Sequence, residues 1–139
     1  MRMRRKLDCI LLIDDDEPTN FLNKLTIEQS GCAKHVQVVQ SGLEALEYLR
    51  GENGYKGLPR PDLIFLDINM PAMDGWEFLG QYRELNKEQQ ADIIMIMLTT
   101  SLNPDDELRT KEFPEIAGFE NKPLLLQRLE DILEKFFSL

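Results

Sequence analysis

The sequence predicts an α/β fold, a single all-parallel sheet with helices on both faces, and three features carry that prediction. Short, almost wholly apolar runs recur at Cys9–Ile13, Leu63–Leu66 and Ile93–Leu98, as expected of strands buried on both sides. Amphipathic stretches of helical length lie between them and open on capping residues. Each apolar run also ends in a polar residue at its carboxyl end, the edge where open α/β sheets bind their ligands.

The first run ends in Asp14-Asp15-Asp16. Asp16 is placed to cap a helix with Pro18 in its first turn, Phe21, Leu22 and Leu25 as its inner stripe, and Gly31 as its stop. His35 to Gln40 partly alternates apolar and polar residues, which predicts a less buried edge strand. The lone histidine at its start, His35, reads as a surface residue rather than a ligand or a base. Ser41-Gly42-Leu43-Glu44 forms a capping box that opens a helix over Leu43–Arg50, burying Leu46 and Leu49. Gly51 to Arg60 is a glycine-rich loop closed by prolines.

The central run delivers Asp67 before Met70-Pro71 breaks the strand. Asp74 then caps a helix with Phe78, Tyr82 and Leu85 on one face. The next run ends in Thr99-Thr100-Ser101. A helix opening at Asn103-Pro104 carries only Leu108 as an apolar anchor, so it should be the least firmly held. The weaker run Ile116–Phe119 leads to Lys122-Pro123, and Pro123 opens a last helix striped by Leu125, Leu129, Ile132 and Phe136. Five β-α alternations fit a doubly wound, flavodoxin-like parallel sheet in the order 2-1-3-4-5.

The 139 residues fit one domain over residues 8–139, behind a basic arm at residues 1–7. A net charge of −9 argues against nucleic acid as a partner, since a phosphate backbone calls for a basic surface. No run approaches the roughly 18 apolar residues of a membrane span. The apolar stretch after the arm is shorter than the ~7 residues a secretory signal needs. A soluble, cytoplasmic protein without membrane contact is expected, with Cys9 and Cys32 as free buried thiols.

Acids, a hydroxyl and one lysine thus converge on one sheet edge. Neighbouring carboxylates repel one another, and a bound cation keeps them ionised. Oxygen ligands without histidine or cysteine favour Mg²⁺, which takes one or two carboxylates and leaves positions for water and phosphate. Thr99 adds a hydroxyl donor and Lys122 a point charge, both suited to phosphoryl oxygens. An aspartate beside a cation and a lysine can attack phosphorus and form an aspartyl phosphate. Singly, these residues also read as a helix-capping turn, a strand-end turn and an isolated lysine. Their joint placement at successive strand ends is what outweighs those readings.

The stretches Ile10–Asp16, Asp62–Gly75 (PDLIFLDINMPAMDG), Met97–Ser101 and Phe119–Pro123 resemble a response-regulator receiver domain of two-component signalling, over essentially the whole chain. The resemblance implies that Asp67 is the phosphoacceptor and that Asp14 and Asp15 are the acidic pair around Mg²⁺, Asp15 the closer ligand. It implies that the Asn69 carbonyl completes the metal set together with Asp67. Thr99 and Lys122 would contact the phosphoryl group, and Phe119 falls at the switch aromatic, where it lacks a tyrosine's hydroxyl. Three consecutive aspartates leave a one-residue ambiguity; Asp14 and Asp15 directly follow the strand, leaving Asp16 to cap the helix.

The Gly51–Arg60 loop resembles a subgroup paired with phytochrome-type or hybrid histidine kinases. Expected partners are a histidine kinase or phosphotransfer protein, a downstream protein target and, as a homodimer, a second copy of the chain. Chemistry would be confined to self-catalysed phosphotransfer and autodephosphorylation, so no enzyme in the usual sense is expected. Two other classes compete. A haloacid-dehalogenase-type phosphatase wants a second aspartate at position 69, where this chain has Asn. A phosphorylation-independent binding module would lack an acid or the lysine, and neither is missing.

Overall fold

The computed structural model describes residues 6–90, 92–100 and 103–137. Its five strands are β1 (Ile10–Ile13), β2 (Val36–Val39), β3 (Leu63–Asp67), β4 (Ile94–Thr99) and β5 (Ile116–Asn121). They form one parallel sheet in the order β2-β1-β3-β4-β5, as the alternation predicts. The helices are α1 (Glu17–Ser30), α2 (Gly42–Arg50), α3 (Gly75–Tyr82), α4 (Lys87–Gln90), α5 (Pro104–Arg109) and α6 (Leu126–Phe137). The one-turn α4 has no apolar periodicity and is not foreseen from sequence.

Successive side chains of a strand point to opposite faces, and the three inner strands divide accordingly. Leu11, Ile13, Ile64, Leu66, Met95 and Met97 pack with Leu46 of α2 and with Phe78 and Leu79 of α3. Ile10, Leu12, Leu63, Phe65, Ile96 and Leu98 pack with Ile27 of α1 and with Leu129, Ile132 and Leu133 of α6. This sandwiching is why the runs are continuously apolar. Leu7, assigned from sequence to the basic arm, is buried and bridges to Ala33, so it belongs to the folded body. Residues 1–5 of that arm, and Ser101, lie outside the described residues.

Caps form where the sequence places them. Asp16, Ser41 and Asp74 accept from the backbone N–H of Thr19, Glu44 and Glu77, and Gly31 and Gly51 close α1 and α2 in left-handed conformations. Around Asp74 and Glu77 the capping box is complete. At Ser41 the carboxylate of Glu44 instead accepts from the Tyr55 hydroxyl at 3.4 Å, which ties α2 to the Gly51–Arg60 loop.

Three expectations about helix faces are corrected. The inner stripe of α1 is Asn20, Asn23 and Ile27, while Phe21 is 68% exposed and Leu22 and Leu25 also face outward. The amides turn inward because both find backbone partners there. Leu108 does not anchor α5, being 59% exposed, and no residue of α5 is buried. The helix is held instead by the Arg109 guanidinium 4.7 Å above the Trp76 ring. Just beyond it, Phe113 packs 5.4 Å from Trp76, under the guanidinium of Arg83 at 4.5 Å. Contacts of this kind contribute about 0.5–1 kcal/mol each when exposed, and α5, like the one-turn α4, buries no residue.

Finally, Pro123 precedes the last helix rather than opening it. The Leu124 N–H is taken by Asn23, so α6 begins at Leu126, and Leu124 rather than the exposed Leu125 enters the core. Leu129→Ala should therefore cost about 2–5 kcal/mol, and Leu125→Ala no more than about 0.5 kcal/mol. Urea unfolding measures both; equal losses would mean that α6 presents a different face.

Candidate functional site

Strand register assembles the site. Ile13 lies level with Leu66, so Asp14, which follows β1, comes beside Asp67, the last residue of β3. Asp67 in turn is level with Leu98, and Thr99 with Asn121, so Lys122 emerges just beyond Thr99. The Lys122 N–H donates to the Thr99 carbonyl at 2.7 Å. Asp14, Asp67 and Thr99 are all buried. The α3 terminus crowds in from above: a Cβ on Gly75 would stand 2.8 Å from the Asp67 carbonyl oxygen. Only glycine fits that approach, in which the Gly75 N–H donates to the Ile68 carbonyl at 2.7 Å.

The Lys122 ammonium lies between two carboxylates, 2.7 Å from Asp14 Oδ2 and 2.8 Å from Asp67 Oδ1. Carboxylate oxygens of Asp14, Asp15 and Asp67 all fall within 4.8 Å of one another, with Asp15 on the solvent side. Asp16 is occupied elsewhere, accepting from both the backbone N–H and the hydroxyl of Thr19. Its own N–H donates to Asp14 Oδ1 at 2.9 Å. Asp14 and Asp15 thus cluster with Asp67, while Asp16 caps α1. A donor set made only of carboxylate oxygens, two buried and one exposed, fits a hard divalent cation such as Mg²⁺. Asn69 is exposed, two residues beyond Asp67. Phe119 is half-buried against the core on the α2/α3 side.

Burial pushes the Asp67 carboxyl up to about 6, and the charge of Asp14 adds to it, against the pull of Lys122 and the Asn69 N–H. Burial works against the Lys122 ammonium, but its hydrogen bonds to Asp14 and Asp67 outweigh this and raise its affinity for a proton. One lysine cannot neutralise two buried acids, and Asp67 carries the surplus.

Two residues at the site escape the sequence reading. Asn20 Nδ2 donates to the Asp14 carbonyl at 2.8 Å, and Asn23 Oδ1 accepts from the Leu124 N–H at 2.9 Å. The only signal is their i, i+3, i+7 spacing with Ile27, which is easily passed over when the inward residues are amides.

In metal-free protein the raised Asp67 value carries a sign. The folded state holds that proton more tightly than the unfolded chain, so the contribution is fully present below about pH 3.9. It is lost as pH rises through about 6. Asp67→Asn should therefore melt above the wild type at pH 7.5 in a chelator, and the gap should narrow toward pH 5. Thermal melts at both pH values test this; a gap that widens on acidification contradicts it.

Residues 10–134 match the family model described as the response regulator receiver domain. The response regulator Rcp1 of Synechocystis sp. is 33% identical over 103 residues, covering 74% of this chain and 69% of Rcp1. The Mn²⁺-bound form of Rcp1 superposes with a TM-score of 0.71 at 29% identity, over 94% of each chain. A two-component response regulator from Cytophaga hutchinsonii reaches a TM-score of 0.86 at 31% identity, covering 97% of this chain and all of that one. The phosphorylated cyanobacterial phytochrome response regulator RcpA gives 0.78 at 30% identity, over 94% of each. With the family model spanning both ends of the sheet and every strand-end acid, this chain belongs to the response regulator receiver family of two-component signalling.

Proposed function

We propose that the protein is a phosphorylation switch in which Asp67 accepts a phosphoryl group from a phosphohistidine of a histidine kinase or phosphotransfer protein. The supporting observation is the Lys122 ammonium 2.8 Å from Asp67, inside a carboxylate cluster of metal-binding dimensions. An Asp67 oxygen attacks phosphorus in line; the new P–O bond forms as the P–N bond breaks, and the imidazole leaves with the electron pair. Asp14, Asp15, Asp67 and the Asn69 carbonyl would hold Mg²⁺, which when bound neutralises charge on the phosphoryl oxygens. Lys122 and the Thr99 hydroxyl donate to those oxygens. Water later releases phosphate and regenerates Asp67, so no separate substrate is turned over.

Phosphorylation adds about −1.5 to −2 charge at pH 7. A charge-assisted hydrogen bond from Thr99 is worth about 1.5–3 kcal/mol. Lys122 contributes less than its full Coulomb attraction, because it already pairs with Asp67. As Thr99 is drawn in, the Phe119 ring turns toward the space it leaves, and the loosely held α5 shifts. The α5–β5–α6 face then meets a downstream protein or a second copy of the chain. Phe21, Leu22 and Leu25, exposed on α1 beyond the Asp16 cap, offer the phosphodonor protein an apolar landing beside Asp67. The acidic surface disfavours nucleic acid, and among the described residues no helix is long and apolar enough to cross a membrane. A cytoplasmic site of action is part of the proposal.

Intact mass after incubation with Mg²⁺ and acetyl phosphate should show one phosphoryl addition that Asp67→Asn abolishes without loss of fold. Labelling that persists in the variant would mean another residue is the nucleophile. Beryllofluoride should lower hydrogen-exchange protection over residues 103–113 and change Trp76 fluorescence, since Arg109 stacks on that ring. Changes confined to residues 67–74 would remove α5 from the switch.

A further inference from the structure

The inner face of α1 poses a physical question. Two of its three buried residues are amides, Asn20 and Asn23, each at least 96% inaccessible to solvent. Asn20 Oδ1 has no hydrogen-bond partner among the described residues. A buried amide that is only half satisfied stabilises a core less than an apolar side chain would. Stability alone therefore does not account for this face.

What the amides do hold is specific. Asn20 donates to the main chain of Asp14, whose carboxylate contacts Lys122. Asn23, one turn along the same helix, accepts from the main chain of Leu124, two residues past Lys122. Both partners of the Asp14–Lys122 contact are thereby fastened to one rigid helix face. We propose that Asn20 and Asn23 are positioning residues: Asn20 fixes Asp14 for the divalent cation, and Asn23 fixes Lys122 for the phosphoryl group. The inference rests on Asp67 being the phosphoacceptor.

The two tethers act on different partners, so their loss separates two measurements. Loss of a hydrogen bond behind a metal ligand typically weakens metal binding about 10- to 100-fold. Asn20→Ala should weaken Mg²⁺ binding about tenfold, read by titration of Trp76 fluorescence, and leave phosphorylation by acetyl phosphate at saturating Mg²⁺ within about threefold of wild type. Asn23→Ala should do the reverse. Mg²⁺ affinity should be unchanged or slightly tighter, because a loosened Lys122 competes less for Asp14 and Asp67, while phosphorylation slows about tenfold, well inside the roughly 100-fold that misplacement can cause. Chemistry adds a further distinction. Asn23→Asp keeps an acceptor for the Leu124 N–H and should restore the rate, whereas Asn20→Asp loses the donor and should not restore Mg²⁺ affinity.

If an alanine variant does not fold, the serine variants, which keep a hydroxyl at each position, are read on the same two axes. Equal changes on both axes in both variants, or none on either, overturn the clamp. A wild-type protein that gains no phosphoryl mass in the same assay overturns the phosphoacceptor reading instead.

Discussion

The Lys122 ammonium, shared between Asp14 and Asp67, is the interaction on which the rest of the molecule depends. Two carboxylates that are each about 95% buried stand side by side because parallel register leaves no other place for them. Without a counter-charge their mutual repulsion and desolvation would oppose the sheet that brings them together. Breaking a buried ion pair by deleting one partner costs about 3–5 kcal/mol, a large share of a domain's net stability of about 5–15 kcal/mol. Lys122 follows β5 while the acids end β1 and β3, so β1, β3, β4 and β5 have to pair before the acids are compensated. Fold and site are one electrostatic problem.

That problem is left partly unsolved. One positive charge faces the two buried acids, with Asp15 adding a third at the rim, and the surplus appears as the elevated proton affinity of Asp67. A divalent cation held by the Asp14, Asp15 and Asp67 carboxylates would relieve it. The excess negative charge that makes the site costly is also what would give a metal its affinity. On the proposed reading, Asp67 would be a desolvated nucleophile with Lys122 and a bound cation beside it, a setting suited to incoming phosphoryl oxygens.

Sequence alone reached the sheet and the strand-end residues because both follow from local pattern. Apolar runs closed by a polar residue have one sensible orientation in a parallel sheet, so Asp14, Asp67, Thr99 and Lys122 had to share an edge. Helix phase was less legible. In α1 the apolar residues at 21, 22 and 25 and the amides at 20 and 23 define competing faces, and partners for the amides decide between them: the Asp14 carbonyl and, 101 residues on, the Leu124 N–H. In Leu124-Leu125-Leu126 three identical side chains carry no phase at all, and the bond from Asn23 selects Leu124 for the core. The hold on α5 was invisible because cation–π stacking joins Arg109 to Trp76 of another helix, and no periodicity reports it.

These same features divide the molecule into a rigid part and a part able to respond. The inner strands are sealed on both faces, and α1 is fastened to two strand ends by its amides, so neither can shift without unmaking buried hydrogen bonds. By contrast, α5 buries nothing, and its stack on Trp76 lies one residue from Gly75, whose close approach to Asp67 admits no side chain. On the proposed reading, a charge placed on Asp67 would have two short routes to α5: through Thr99 and Phe119 along β4 and β5, and through Gly75 and Trp76 at the head of α3. Both would converge on a helix that buries no residue of its own and is held through the Arg109 stack on Trp76. A small change at a buried carboxylate would thereby be directed to the outer surface rather than absorbed by the sheet.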